Sequence, residues 1–262
     1  SYGSQPLGYY DRAYHLSGIL SHQIIYPIYN VAVSTFSRLT DDPENYRNNF
    51  LKVLSILAFI GMPLSAVLSL ISRDAIVLIL GSKWEESARI FFAFSISVGI
   101  SIVYIAHGWL HLSLGTPDRW FRWGILELIV TVMFVLMGLP YGGVGVAVAY
   151  SASIYIMIGP AFWYAGRPIH LKLSSVLSSL WKYYASALAA GAICWFILNK
   201  QEVASNIFLH MNIFTRIMIS SSLCISLYLI FVVALYQSVS PIGQFVSVVR
   251  EIVGDKFQTR KS

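Results

Sequence analysis

The chain has 262 residues, of which 56% are hydrophobic and only 11% are Asp, Glu, Lys or Arg, against roughly 25% charged residues in an ordinary soluble domain. So little charge cannot cover a soluble surface, which excludes a soluble enzyme. The net charge of +6 sits in short loops between apolar runs, so it argues for orientation in a membrane and against a nucleic-acid partner.

Apolar runs bounded by charge predict spans near residues 17–36, 51–72, 90–113, 121–139, 143–164, 181–198 and 214–236. The fold class is an all-α integral membrane bundle of about seven transmembrane helices, because lipid-facing backbone must satisfy its own hydrogen bonds and the alternation of a membrane β-barrel is absent. Residues 1–10 have neither an initiator Met nor a signal pattern, and the chain reads as a fragment of a longer protein.

Before the first span Asp11 and Arg12 are adjacent; the guanidinium either pairs locally or attracts a phosphate. Within the span, His22, Gln23 and Asn30 are polar and Pro27 removes a backbone donor, as do Pro63 and Pro160 farther on. Residues 74–84 read as a short interfacial helix closed by Gly81 and anchored by Trp84.

The third span carries Tyr104, His107 and His111 on one stripe at helical spacing, suited to hydrogen bonds between helices or to a polar substrate group. The fourth holds Glu127 about one and a half turns in. A carboxyl there is either an ion-coupling group or one that snorkels to the interface beside Arg119 or Arg122. Tyr141-Gly142-Gly143-Val144-Gly145 reads as a tight reversal and not a phosphate cradle.

Cys194 and Cys224 fall inside apolar stretches as small buried hydrophobes, with no further ligands at metal-binding spacing. Residues 240–262 read as an amphipathic tail capped by Ser240, with Pro241 in its first turn. No nucleotide, zinc or nucleophile-elbow motif is present, so no catalytic residue, cofactor or metal is assigned.

Sorting Lys and Arg by side places six on one face and twelve on the other. The positive-inside rule then makes the loops near Asp41, Asp118 and Arg167 and the C-terminus cytoplasmic.

Several segments together resemble a known family. They are Leu7-Gly8-Tyr9-Tyr10-Asp11-Arg12-Ala13-Tyr14, Ser37-Arg38-Leu39 with Asp42-Pro43-Glu44 and Tyr46-Arg47, Met62-Pro63-Leu64, Leu80-Gly81 with Trp84, and Gly108-Trp109-Leu110. Gly115, Asp118-Arg119, Arg122-Trp123-Gly124, the run from Gly138 to Tyr150 and Trp163-Tyr164 follow in order. The pattern, over about residues 7–170, resembles the polysaccharide-transporter (Wzx and WzxC-like flippase) branch of the multidrug/oligosaccharidyl-lipid/polysaccharide (MOP) exporter superfamily.

That resemblance implies a C-terminal fragment of a MOP/MATE-like flippase. Residues 1–164 would be helices eight to twelve of an incomplete C-lobe, 165–239 two additional C-terminal helices, and 240–262 a cytoplasmic tail. It implies translocation of a lipid-linked oligosaccharide or exopolysaccharide precursor across the bacterial inner membrane by alternating access, without covalent chemistry. The implied partners are a polyprenyl-diphosphate-linked glycan, membrane lipids, and polysaccharide polymerase and export proteins.

Arg12, Asn30, Tyr104, His107 and His111 are the cavity-lining candidates on that view, and Glu127 the ion-coupling candidate, although family members usually carry a small or neutral polar residue there. A multidrug or cation antiporter of the same superfamily and a membrane enzyme of glycan assembly are the alternatives.

Overall fold

The computed structural model describes residues 4–200, 211–243 and 245, and all regular structure among them is helical. The first helix, α1 (Ser4–Arg38), begins well before the expected residue 17. Its N-terminal half mixes apolar and polar residues, so apolarity alone does not mark its start.

Asp42 caps α2 (Pro43–Leu70) by accepting from the Asn45 N–H at 3.0 Å, and Pro43 occupies the first turn, where its missing donor costs nothing. Helix α3 (Ser72–Leu80) stops at Gly81, whose φ of 92° suits a residue without Cβ. The helix expected over 74–84 therefore exists but is displaced toward the N-terminus, with Trp84 in a following 3₁₀ turn.

The expected third span is two helices, α4 (Glu85–Tyr104) and α5 (Ala106–Ser113), interrupted at Ile105. Next come α6 (Pro117–Gly138), α7 (Gly142–Ala165), α8 (Leu173–Lys200) and α9 (Ile213–Tyr236). The reversal between α6 and α7 is a 3₁₀ turn ending at Gly142, φ 72°. A Cβ on Gly138 would stand 2.5 Å from the Gly145 carbonyl oxygen, so the glycines serve close packing as expected.

In the tail, residues 240–243 are helical, but the Ser238 hydroxyl, not that of Ser240, accepts from the Ser240 N–H at 3.0 Å. Residue 244 and the tail beyond Phe245 lie outside the described residues, as do residues 201–210.

Helix α4 is the axis of the bundle, packed by α1, α2, α3 and α7, while α8 and α9 lean on α2 and α6 pairs mainly with α7. The α2–α4 crossing is close because a Cβ on Gly99 would sit 2.6 Å from the Gly61 carbonyl oxygen. Serines hold the axis to its neighbours. Ser65 donates to the Ser95 carbonyl at 2.5 Å, and Ser151 of α7 donates to the Ala93 carbonyl at 2.9 Å with Ser97 at 3.0 Å. Such pairs are the usual glue of helices that lipid cannot drive together.

Four stretches among the described residues are long and apolar enough to cross a membrane: Pro43–Leu70, Ser82–Ser113, Pro117–Ala165, which contains both α6 and α7, and Ile213–Tyr236. Within the bundle 78% of the Ser82–Ser113 window is buried but only 11% of the Pro117–Ala165 window. The protein is an all-helical membrane protein. Helices α1 and α8 fall outside the set of four, and for α1 the dilution of its apolar run by His22, Gln23 and Asn30 is the reason.

Candidate functional site

Two polar regions differ in character: one open, one enclosed. The open one is on α1. Arg12, His15, Ile19, Gln23 and Tyr26 follow one another at steps of three or four, Ser34 lies eight beyond Tyr26 on the same stripe, and all are exposed. The opposite stripe of the same helix, with Ala13, Ile25, Ala32 and Phe36, is buried in the core. Asn30 falls on the open stripe by register, but its side chain lies outside the described residues.

The local pairing of Arg12 with Asp11 is corrected by the structure. Asp11 meets His15 Nε2 at 3.3 Å, one helical turn away, and the Arg12 guanidinium lies 5.8 Å from the centre of the Trp84 ring. Sequence neighbours point about 100° apart on a helix, so adjacency in sequence is the wrong guide to pairing.

The enclosed region is built where α4 gives way to α5. Gly108 donates its N–H to the Ile105 carbonyl at 3.1 Å, a tighter turn than the helix uses elsewhere. The Tyr104 carbonyl is taken by His107 Nδ1 at 2.6 Å. One turn on, His111 Nδ1 lies 3.1 Å from the Thr116 hydroxyl, and that hydroxyl donates to the His111 carbonyl at 3.4 Å. Tyr104, His107 and His111 are all buried.

Helices α6 and α7 close this cluster. The Trp123 indole N–H donates to the Tyr104 hydroxyl at 3.2 Å, and its ring stacks on Tyr164 at 5.7 Å between centroids. The Arg119 guanidinium donates to the Tyr164 carbonyl and lies over the Tyr164 ring at 4.7 Å.

Glu127 sits one turn beyond Trp123 on the inner stripe of α6, half-buried, with its carboxyl on the side of the Tyr104 ring. It turns inward to a tyrosine, and the snorkelling alternative toward Arg119 or Arg122 is not the arrangement seen. Gly108 is needed beneath this layer, since a Cβ there would press the Trp120 ring at 3.3 Å.

Tyrosines connect the two regions. Tyr150 of α7 lies beside both Glu127 and Tyr14 of α1, and the Tyr14 and Tyr150 rings are 6.2 Å apart at nearly a right angle. Of the residues singled out in sequence, Tyr104, His107, His111 and Glu127 thus gather in one cluster, and Arg12 stands apart on the open stripe. Sequence reasoning missed His15 on the stripe and Trp123, Tyr150 and Tyr164 in the cluster. The heptad-like recurrence of polar residues on α1 was the available signal for the first, whereas the three aromatics carry none.

The family described as polysaccharide biosynthesis protein matches residues 1–89. The lipopolysaccharide biosynthesis protein WzxC of Escherichia coli (strain K12) is 23% identical over 180 residues, 65% of this chain and 37% of WzxC. An uncharacterized membrane protein in the cps region of Klebsiella pneumoniae is 23% identical over 168 residues, 64% of this chain and 35% of that protein.

The chain resembles polysaccharide transporters, as its sequence implies. Among solved structures, the lipid II flippase MurJ in its inward closed conformation shares the fold at a TM-score of 0.68 and 18% identity, over 90% of this chain and 48% of MurJ. The chain spans little more than a third of the curated relatives it matches and about half of the solved flippase.

Proposed function

We propose that this chain is one lobe of a flippase, and that the whole protein moves a lipid-linked oligosaccharide or exopolysaccharide precursor across the bacterial inner membrane by alternating access. The observation that carries this reading is the open stripe of α1. Its outward charged and amide groups are costly against lipid, so they suit the wall of a watered cavity shared with a second lobe. The fold shared with half of a lipid II flippase and the relatedness to WzxC support it.

On this reading residues 1–164 correspond to helices eight to twelve, 165–239 to two further helices, and the tail beyond 240 is cytoplasmic, with seven crossings in all. Arg12 is the stripe's cation for a diphosphate headgroup, and Asn30 adds a hydrogen-bonding group by register. No bond of the substrate is made or broken. A polysaccharide polymerase and export proteins are the partners that receive the flipped precursor.

The test is complementation: the full-length gene restores glycan export in a bacterium lacking such a flippase. Normal membrane insertion without restored export overturns the reading. Substrate-dependent proton or sodium flux with a small cationic drug, abolished by Glu127→Gln, establishes the antiporter alternative instead.

A further inference from the structure

The start of α2, the start of α8 and the end of α9 meet on one side of the bundle around a cavity of about 480 Å³. Helix α2 lines it with Asn48, Lys52 and Ser55, α8 with Ser178 and Ser179, and the turn after α9 with Ser240. Steps of four and three put the α2 groups on one stripe. No carboxylate is among the lining residues.

The charge pattern of the sequence sets the depth of this cavity. Helix α2 carries no charge from Val53 to Leu70, and α8 carries none from Tyr183 to Asn199. Each stretch rises about 26 Å at about 1.5 Å per residue, close to the thickness of the hydrocarbon core. Lys52 and Lys182, immediately before them, therefore stand at the same boundary between hydrocarbon and headgroups. Trp181, Tyr183 and Tyr236 are the aromatic neighbours usual at that level.

Both lysines bear on the cavity. Lys52 lines it, and the Lys182 ammonium lies 4.3 Å from the centre of the ring of Tyr236, itself part of the lining. Neither has a carboxylate partner among the described residues. Glu44, the acid closest to Lys52 in sequence, is exposed and lies two turns away. That is about 12 Å along the axis, beyond the Debye length of about 8 Å in physiological salt.

The hydroxyls add donors. Those of Ser55, Ser178 and Ser179 donate to carbonyls three or four residues back, at 2.9, 2.8 and 2.9 Å. The helix itself already supplies those carbonyls with N–H groups, so the hydroxyls are free to swing to an anion, the stronger acceptor.

We propose that this cavity binds the phosphate of an anionic phospholipid. Lys52, Lys182 and Asn48 take the phosphate oxygens, and the acyl chains lie on α8, where Leu177, Trp181 and Leu188 are exposed on the adjoining stripe. Basic pockets between membrane helices at this level are suited to such headgroups. A zwitterionic headgroup fits less well, because its cation meets two ammonium groups and no carboxylate. The bound phosphate bridges α2, α8 and the turn after α9, so the lipid fastens the last two helices to the rest of the bundle. The inference does not depend on the transport reading.

The experiment uses the full native chain, purified in a neutral detergent and titrated with dioleoyl phosphatidylglycerol or dioleoyl phosphatidylcholine. Binding is read by native mass spectrometry and by the unfolding temperature. Phosphatidylglycerol binds about tenfold tighter or more, and it alone raises the unfolding temperature. Lys52→Gln and Lys182→Gln each lower its affinity about fivefold, and Lys52→Arg keeps it. Lys172→Gln, which removes an exposed cation at the same end but outside the lining, leaves the affinity unchanged.

Equal affinity for the two lipids overturns the proposal, and this comparison on the unaltered chain needs no variant to fold. An equal loss in Lys172→Gln and Lys52→Gln also overturns it, since the attraction then belongs to the whole surface. A large excess of inorganic phosphate leaves the lipid bound; displacement makes the cavity a site for free phosphate and overturns the lipid assignment. Failure of the full-length gene to restore glycan export, with phosphatidylglycerol still bound here, refutes the transport reading and leaves the lipid site standing.

Discussion

Helices α1 and α6 both leave a long face uncovered, but the two faces are made of different chemistry. On α6, Phe121, Ile125, Leu128, Ile129, Val132, Met133, Leu136 and Met137 are exposed, and between Glu127 and Gly138 no outward residue is charged. On α1 the exposed stripe includes Arg12, His15, Gln23 and Ser34. Exposure alone does not separate a lipid-facing surface from a cavity wall. The free energy of burying a charge in hydrocarbon does, at about 2.5 to 3.5 kcal/mol for a basic residue at a span's centre on insertion scales.

The sharpest way to break the comparison is to exchange the chemistry. Val132→Arg puts a cation on the apolar face of α6 and is expected to cost about 3 kcal/mol of insertion, seen as loss of membrane-integrated protein. Gln23→Arg on α1 is expected to insert normally. Equal loss for both makes the α1 stripe lipid-facing.

A slightly smaller effect is expected where both faces are mounted on the axis. Gly99→Val must move the Gly61 carbonyl, and overpacking at so close a crossing costs about 1 to 3 kcal/mol, read as a lowered unfolding temperature in detergent. Should Gly99→Val unfold at the wild-type temperature, α2 and α4 do not meet there.

Labelling sharpens the distinction without large energies. In a background with Cys194 and Cys224 replaced by Ala, cysteines at Gln23 and Ser34 are expected to react with a water-soluble thiol reagent about tenfold or more faster than cysteines at Ile129 and Met133, because the reactive thiolate needs water. Equal rates erase the comparison. The smallest effect is on stability at the stripe itself: Ser34→Ala and Gln23→Ala are expected to change it by less than about 0.5 kcal/mol, as for other exposed sites. A larger change measured by unfolding means that the stripe is packed against something.

The interior of the site was only partly legible. The spacing of Tyr104, His107 and His111 put three polar groups on one helix face, and the structure keeps them together. Nothing in the spacing indicated that the face turns into the bundle. Helix phase can be read when one side is apolar and the other polar, but the middle of α6 is apolar nearly all round, and α5 is buried on its polar and apolar sides alike.

Glu127 had two open readings for the same reason, and only the packing of α6 on α7 turned it toward Tyr104. Conversely, α1 carries its phase openly in the recurrence of Arg12, Gln23 and Ser34 among apolar residues, while its first turns are too polar to form an unbroken apolar run.

What the sequence by itself determined is the helical membrane bundle, its reversals at Gly81 and Gly142, and the resemblance to polysaccharide transporters. These follow from composition, from the hydrogen-bonding needs of backbone in lipid, and from ordered local motifs. The tertiary structure alone decided which polar groups are enclosed and which are open. It broke the third span at Ile105, gave Asp11 to His15, and turned Glu127 toward the Tyr104 side chain. Those outcomes depend on contacts between residues far apart in the chain, and helix-on-helix packing sets them by shape, with almost no trace in local pattern.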